Sequence, residues 1–178
     1  MEKPKLPPEM IEVLTTSHFA YLCTTDQNNQ PHITPMFYVY DEKTSDVFVT
    51  ASANSKKMHN ILLNPKISLT IDIRDSVNPF NNRGVMVQGK AVIEKNELGS
   101  VDEKLDQASR AFEEKYPVLQ EAHSPAIAEV KKFSENLIRI VPKRMVFWRG
   151  PNFITVNFDK PGISHSPTMK TSINVRRD

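Results

Sequence analysis

Apolar and polar positions alternate over several short stretches, and this period-two pattern dominates the chain. Ile67, Leu69, Ile71 and Ile73 interleave with Lys66, Ser68, Thr70 and Asp72. Such alternation puts one face of a strand in a core and the other in water or at a site. Val85, Val87, Gly89, Ala91 and Ile93 repeat the pattern against Met86, Gln88, Lys90 and Val92, giving a longer strand. Residues 18–25, 31–40 and 47–51 read as three more strands, with turns at 26–30 and 41–46. Pro31 and Pro35 cannot donate ladder hydrogen bonds, so the second of these is irregular or at an edge. Leu137 to Val141 and Met145 to Trp148 predict two strands around Pro142.

Helical spacing interrupts this pattern. Pro8-Glu9 opens a short helix through Leu14, since proline is tolerated in a first turn. Asn54 or Ser55 caps a helix over about residues 55–63, whose buried face is Met58, Ile61 and Leu62; Asn64-Pro65 ends it. Leu98, Val101, Leu105, Ala108 and Phe112 step by three and four residues as an amphipathic helix that Tyr116-Pro117 breaks. A further helical segment follows Ser124-Pro125, with Ile127, Val130 and Phe133 inward. Six or so strands, mostly meander-connected, predict a mainly β protein built as an antiparallel barrel rather than a parallel βαβ sheet. The chain divides into a flexible proline-rich lead (1–8), one barrel domain (9–149) and a tail (150–178). The apolar patch Phe153 to Phe158 docks that tail on the body or on a partner subunit.

Composition narrows the function classes. With 178 residues, 39% hydrophobic and 25% charged, the chain supports one soluble domain with a genuine core. A net charge of +2, without long basic runs, does not suggest a dedicated nucleic-acid binder. The single cysteine, Cys23, excludes an internal disulfide and a Cys-rich zinc site, and its β-like surroundings predict a buried, inert thiol. The five histidines lack metal-ligand spacing, so no metal is expected. No P-loop, Gly-x-Ser-x-Gly or Gly-x-Gly-x-x-Gly occurs. The N-terminus lacks the apolar core of a signal peptide, and no apolar run reaches membrane-spanning length. The expectation is a cytoplasmic protein that engages neither membrane nor nucleic acid.

The chemistry concentrates between residues 30 and 65. Ser55, Lys56 and Lys57 fall in the first turn of a helix, and Thr50 closes the strand before it. Backbone amides at a helix start, with Lys and Ser or Thr side chains, hold a phosphate ester well. Positive charge there opposes the helix dipole, on a scale of about 0.3–1 kcal/mol per charge, which an anion would offset. A solvated lysine pair beside an ordinary cap is the competing reading. Pro31-His32-Ile33-Thr34-Pro35-Met36 offers an irregular strand along which a flat heteroaromatic ring can lie, its backbone groups reaching the ring's polar edge. An edge strand protected by prolines is the alternative there. His32 and His59 are candidate proton donors or merely structural, and Asp72 with Arg74 reads as a surface pair.

These residues carry a resemblance. From about residue 10 to 149 the chain resembles the pyridoxamine 5′-phosphate oxidase-like family of FMN-binding split barrels. The match runs in order through Gln30-Pro31-His32-Ile33-Thr34-Pro35-Met36-Phe37, Val47-Phe48-Val49-Thr50 and Ser55-Lys56-Lys57-x-x-Asn60. It continues through Asn64-Pro65, the Val85-x-Val87-x-Gly89-x-Ala91 strand and Pro142-x-Arg144-x-x-x-Trp148. The resemblance implies a six-stranded antiparallel split β-barrel with inserted and flanking helices, and a homodimer with FMN at its interface. His32, Ile33, Thr34, Pro35 and Met36 would line the isoalloxazine and ribityl chain. Val49 and Thr50 would lie at the cofactor, with Thr50, Ser55, Lys56 and Lys57 at the phosphate. Gln88 and Trp148 would approach the ring, from the same subunit or its partner, although a strand tryptophan also serves as core. True oxidases carry an arginine at the start of the flavin strand, where Gln30 or His32 stands here. They also end in a Trp…Arg-x-x-Arg segment, whereas this chain ends Ser172-Ile173-Asn174-Val175-Arg176-Arg177-Asp178. Both departures speak against vitamin B6 oxidase activity.

The expected function is therefore an FMN-dependent oxidoreductase acting on a small molecule through flavin N5. The alternatives are an F420-dependent reductase, with Lys66, Arg83 and Lys90 as contributors to the cofactor's anionic tail, and a non-catalytic flavin carrier or sensor. A general-stress or haem-handling protein is weaker, because no axial-ligand histidine stands out. No catalytic residue is assigned.

Overall fold

The computed structural model describes residues 4–94, 103–117, 136–159 and 162–167. Helix α1 (Pro8–Thr16) leads into a hairpin of β1 (Ala20–Thr25) and β2 (Pro31–Met36). Then come β3 (Tyr38–Tyr40), β4 (Val47–Ala51), α2 (Lys56–Leu63), β5 (Lys66–Ile73) and β6 (Arg83–Glu94). Helix α3 (Glu103–Lys115) follows, then β7 (Asn136–Arg149), β8 (Asn152–Asn157) and β9 (Gly162–Pro167). All the strand pairings are antiparallel, in the order β2-β1-β5-β6-β7-β4-β3, with β8 and β9 added beside β7. The path begins at β2 and ends at β3, and Phe37 alone separates those two strands. The sheet therefore closes on itself through one bent strand, as a barrel requires. The mainly β antiparallel expectation holds, and the strand expected over 31–40 is this bent pair.

Alternation fills the barrel. Leu22, Val49, Leu69, Ile71, Val85, Val87, Ile138, Ile140 and Met145 are fully buried in one cluster, and α1 closes it with Met10, Val13 and Leu14. A smaller cluster outside β3 and β4 joins Val39 and Phe48 to Ala108, Phe112 and Tyr116 of α3.

The two strands expected around Pro142 are one strand. The register passes from Gln88↔Arg144 to Gly89↔Pro142, so Lys143 is an extra residue in a β-bulge. The bulge resets the alternation: Ile138, Ile140 and Pro142 face inward before it, Met145 and Phe147 after it. Pro142 is tolerated because a bulge already interrupts the ladder. Gly89 lies against this point, where a Cβ would sit 2.2 Å from the Val141 carbonyl oxygen.

The tail expected from residue 150 adds strands. β8 pairs with β7 from Arg144↔Asn157 to Arg149↔Asn152, and β9 pairs with β8. Residues 124–133, expected as a helix, lie outside the described residues, as does the start of the helix expected from Leu98. Cys23 is half-buried on the outward face of β1, not core. Among the described residues no helix is long and apolar enough to cross a membrane.

Helix α3 supplies a pH handle. The Lys115 ammonium is buried without a hydrogen-bond partner and stands 3.6 Å from the Tyr38 ring centre. Burial pushes Lys115 down from 10.5 to about 8, while the ring face pulls the other way by favouring the cation. Burial raises both neighbouring phenols, Tyr38 and Tyr116, above their usual value. Unfolded chains keep the Lys115 proton up to about 10.5, whereas the folded chain loses it from about 8. The unfolded state thus binds more protons in this window, and stability rises with pH. Urea unfolding of wild type and Lys115→Met across this window should show the wild type gaining stability on the variant as pH rises. Parallel curves would contradict the burial of this amine.

Candidate functional site

Helix α2 begins as its sequence directs. Ser55 has extended backbone angles, and its hydroxyl oxygen accepts from the Met58 N–H at 3.4 Å, while Ser55 Oγ donates to the Ser52 carbonyl at 2.8 Å. No acidic residue lies in the first turn, so nothing on the helix itself balances Lys56 and Lys57. The two lysines differ. Lys56 is 54% exposed and reaches Asp26 Oδ2 in the β1–β2 turn at 3.2 Å. Hydrogen bonds from the Gln30 N–H, Lys56 and the Asn28 N–H hold the Asp26 carboxyl below its usual range. Lys57 is half-buried, burial lowers its pKa, and no described residue is paired with it. A partly desolvated ammonium at the positive end of a helix dipole is a place where an anion lowers the free energy.

The buried face of α2 departs from the expected one. Met58 and Ile61 are buried, but Leu62 is 66% exposed and Asn60 is fully buried in its place. The cause is polar: Asn60 Nδ2 donates to Thr24 Oγ1 at 3.0 Å, turning that side of the helix onto the end of β1. Asn60 Oδ1 has no described partner. Because Thr24 pairs with His32 across β1–β2, the Asn60 contact and the Lys56–Asp26 pair together set α2 beside the start of β2. The helix start and the proline-bearing strand are thus neighbours, as the sequence suggested.

The strand's side chains divide between two faces. Met36 is buried, and His32 and Thr34 share its phase; His32 Nδ1 and Thr34 Oγ1 are 3.4 Å apart. Pro31, Ile33 and Pro35 point outward. Val49 is fully buried in the core, so only its backbone is free to serve a ligand, and Thr50 is half-buried. His59 is exposed.

Gln88 and Trp148 lie elsewhere. Ile33 pairs with Cys23, Cys23 with Ser68, and Ser68 with Gln88, so three inter-strand steps separate Gln88 from β2. At ordinary strand spacing that is about 14 Å. Trp148 is half-buried directly across from Gly84, where a Cβ would meet the indole at 2.3 Å, so the ring packs where only glycine leaves room. Within one chain, β2 and the start of α2 form one group, and Gln88 and Trp148 lie apart from it and from each other, four residues along β6, about 13 Å. Lys66 and Lys90 pair with each other at one end of β5–β6, while Arg83 lies seven residues away on β6, about 24 Å. These three do not line a common groove.

Asp72 and Arg74 form the expected surface pair at 2.6 Å. No group of three or more His, Cys, Asp or Glu among the described residues is arranged to hold a metal. The sequence marks Asn60 only as part of the helix-start motif; its burial depends on a partner 36 positions away. Nor does it foresee that Arg83, named only for an anionic tail, pairs directly with Arg149 at the far end of the barrel.

A family model described as pyridoxamine 5′-phosphate oxidase matches residues 6–149. No curated protein matches the sequence. Among solved structures, a conserved hypothetical protein from Mycobacterium tuberculosis has TM-score 0.63 at 22% identity, over 84% of this chain and 89% of its own. A FAD-binding protein from Mesorhizobium loti has TM-score 0.56 at 18% identity, over 78% and 89%. HutZ, the heme storage protein from Vibrio cholerae, has TM-score 0.60 at 17% identity, over 83% and 96%. At these identities the likeness is one of fold.

Proposed function

The chain belongs to the pyridoxamine 5′-phosphate oxidase-like family of split barrels, and from that premise we propose that it binds FMN and serves as an oxidoreductase on a small molecule. The observation that carries this reading is Lys57, a half-buried cation in the first turn of α2 with no described anionic partner. FMN brings a phosphate to such a position. Lys57 would hold it first, the half-buried Thr50 would lie beside it, the Ser55 hydroxyl would donate only by turning from the Ser52 carbonyl, and Lys56 would join by leaving Asp26. The bent β2 strand begins beside this helix start, so the ring would lie along Thr34-Pro35-Met36. When bound, the cofactor supplies hydride transfer at flavin N5, and the protein supplies position and electrostatics. This division suits a site whose described residues contain no acid–base dyad.

The reading includes a homodimer in the cytoplasm. The outer face around β1 and β2 carries Ile33 at 65% exposure, Phe19 at 47% and Phe37 at 43%. Phe19 and Phe37 are in ring contact at 5.1 Å, and exposed apolar side chains along one sheet face favour a protein partner. Gln88 and Trp148 are too distant from β2 in their own chain to touch the same ring. A second copy facing this surface would bring them there.

The absorbance spectrum of the protein as isolated, with mass identification of any released cofactor, tests the reading. A flavin spectrum and the mass of FMN are expected. A deazaflavin mass would move the cofactor to F420, and a haem spectrum would overturn the proposal.

A further inference from the structure

We propose that the end of the barrel opposite α2 holds a second, separate binding site, for a small molecule bearing a phosphate or carboxylate. A cavity of about 520 Å³ opens there, lined by Arg74, Asp75, Ser76, Asn81, Arg83 and Arg149 above Ile73. Its volume lies in the range of small-molecule sites. Three guanidinium groups share it, and Arg83 and Arg149 are direct cross-strand partners, where like charges repel.

The Asp75 carboxylate of this cavity is already engaged, and only part of the cavity's donor set is. Asp75 Oδ1 accepts from the Val77 and Asn78 N–H groups, and Oδ2 from Asn81 Nδ2. Asp72 accepts from Arg74 Nε at 2.6 Å, and Glu12 from Arg83 Nη2 at 2.5 Å. What remains is donor capacity. Arg149 has no described partner, Arg83 Nε is buried without an acceptor, and Arg74 is bonded only through Nε. Planar guanidinium forks match the oxygen pairs of phosphate and carboxylate.

The site is distinct from the one beside α2. Arg83 is in phase with Val85 and Val87, and Arg149 with Met145 and Phe147, so both belong to the inward face at the barrel mouth. Gly84 and Trp148 are one residue out of phase, on the outer face of the same two strands. A ligand in the mouth and a ligand on the outer face would lie on opposite sides of β6 and β7.

The test uses the full chain, titrated with inorganic phosphate and separately with succinate at constant ionic strength, with sodium chloride as the reference. Arginine Nε–H resonances and thermal unfolding are followed. Saturable shifts with either probe are expected, and the tighter of the two identifies the ligand's anionic group. Arg149→Gln should weaken binding about tenfold or more, as loss of a charge-assisted pair does. Lys56→Ala/Lys57→Ala should leave it unchanged. Three results would overturn the proposal: no saturable response beyond sodium chloride, equal binding by Arg149→Gln, or loss of binding in the lysine variant. The last would place the anion at α2 instead.

Discussion

Replacing both Lys56 and Lys57 by alanine should weaken FMN binding by about 100-fold or more while leaving the fold intact. A hydrogen bond to a charged group contributes about 1.5–3 kcal/mol, so two such contacts to a phosphate carry two or more decades of affinity. The single variants should not be equal. Lys56 must first leave Asp26, and most of its side chain is in water. Lys57 is half-buried without a described partner, so its ammonium gains more from a phosphate. Lys57→Ala should therefore account for most of the loss. Without ligand the same substitutions remove two cations from the positive end of a helix, which favours α2 by about 0.3–1 kcal/mol each. Loss of the Asp26 pair and of the lysine methylene packing works against this gain. Ligand-free stability should change by less than about 1 kcal/mol. Isothermal titration with FMN and urea unfolding separate the two effects. A double variant that bound FMN like wild type would remove the phosphate from α2.

Gly89→Ala should be the most damaging single-atom change in the barrel. The added Cβ would lie 2.2 Å from the Val141 carbonyl oxygen, and the obstacle is backbone. A flexible side chain could yield; a strand paired on both sides cannot. The β6–β7 pair runs from Arg83↔Arg149 to Glu94↔Leu137, so any retreat strains the longest ladder of the sheet. The expected loss is about 3 kcal/mol or more, at the upper end for overpacking. For a chain of this size it corresponds to a thermal midpoint lowered by about 6–12 °C. Gly150→Ala is the control. Its φ of +54° strains any L-residue, but its nearest neighbour would be 3.7 Å away, so about 1–2 kcal/mol is expected. If the two variants unfolded at the same temperature, the close approach at the bulge would be wrong.

The same contrast explains what the sequence discloses. Elements that declare themselves locally are legible: the alternation of β5, the Ser55 cap, the proline that opens α1. Each depends on residues within a few positions. Features that depend on distant partners are not. Pro142 reads as a break between strands, because only the opposing Gly89 shows that a bulge absorbs it. Leu62 reads as core by helical spacing, but the Thr24 hydroxyl turns Asn60 inward instead. Residues 152–157 read as part of a meandering tail, since the β7 edge they pair with is not implied by their own composition. Of the site, the α2 start and the irregular β2 strand were each legible from local signals, but the contacts that bring them together, Lys56–Asp26 and Asn60–Thr24, span 30 and 36 positions. The separation of Gln88 and Trp148 from that group was not legible, because it follows from strand order. The arginines of the barrel mouth come from one loop start and two strand termini, which sequence distance hides.

Fluorescence titration of the purified protein with FMN, beside riboflavin as the phosphate-free control, tests the central claim most directly. Saturable FMN quenching at micromolar concentrations is expected, with riboflavin binding weaker by about tenfold or more. Equal affinities, or no quenching by FMN at these concentrations, would contradict a flavin phosphate held at the start of α2.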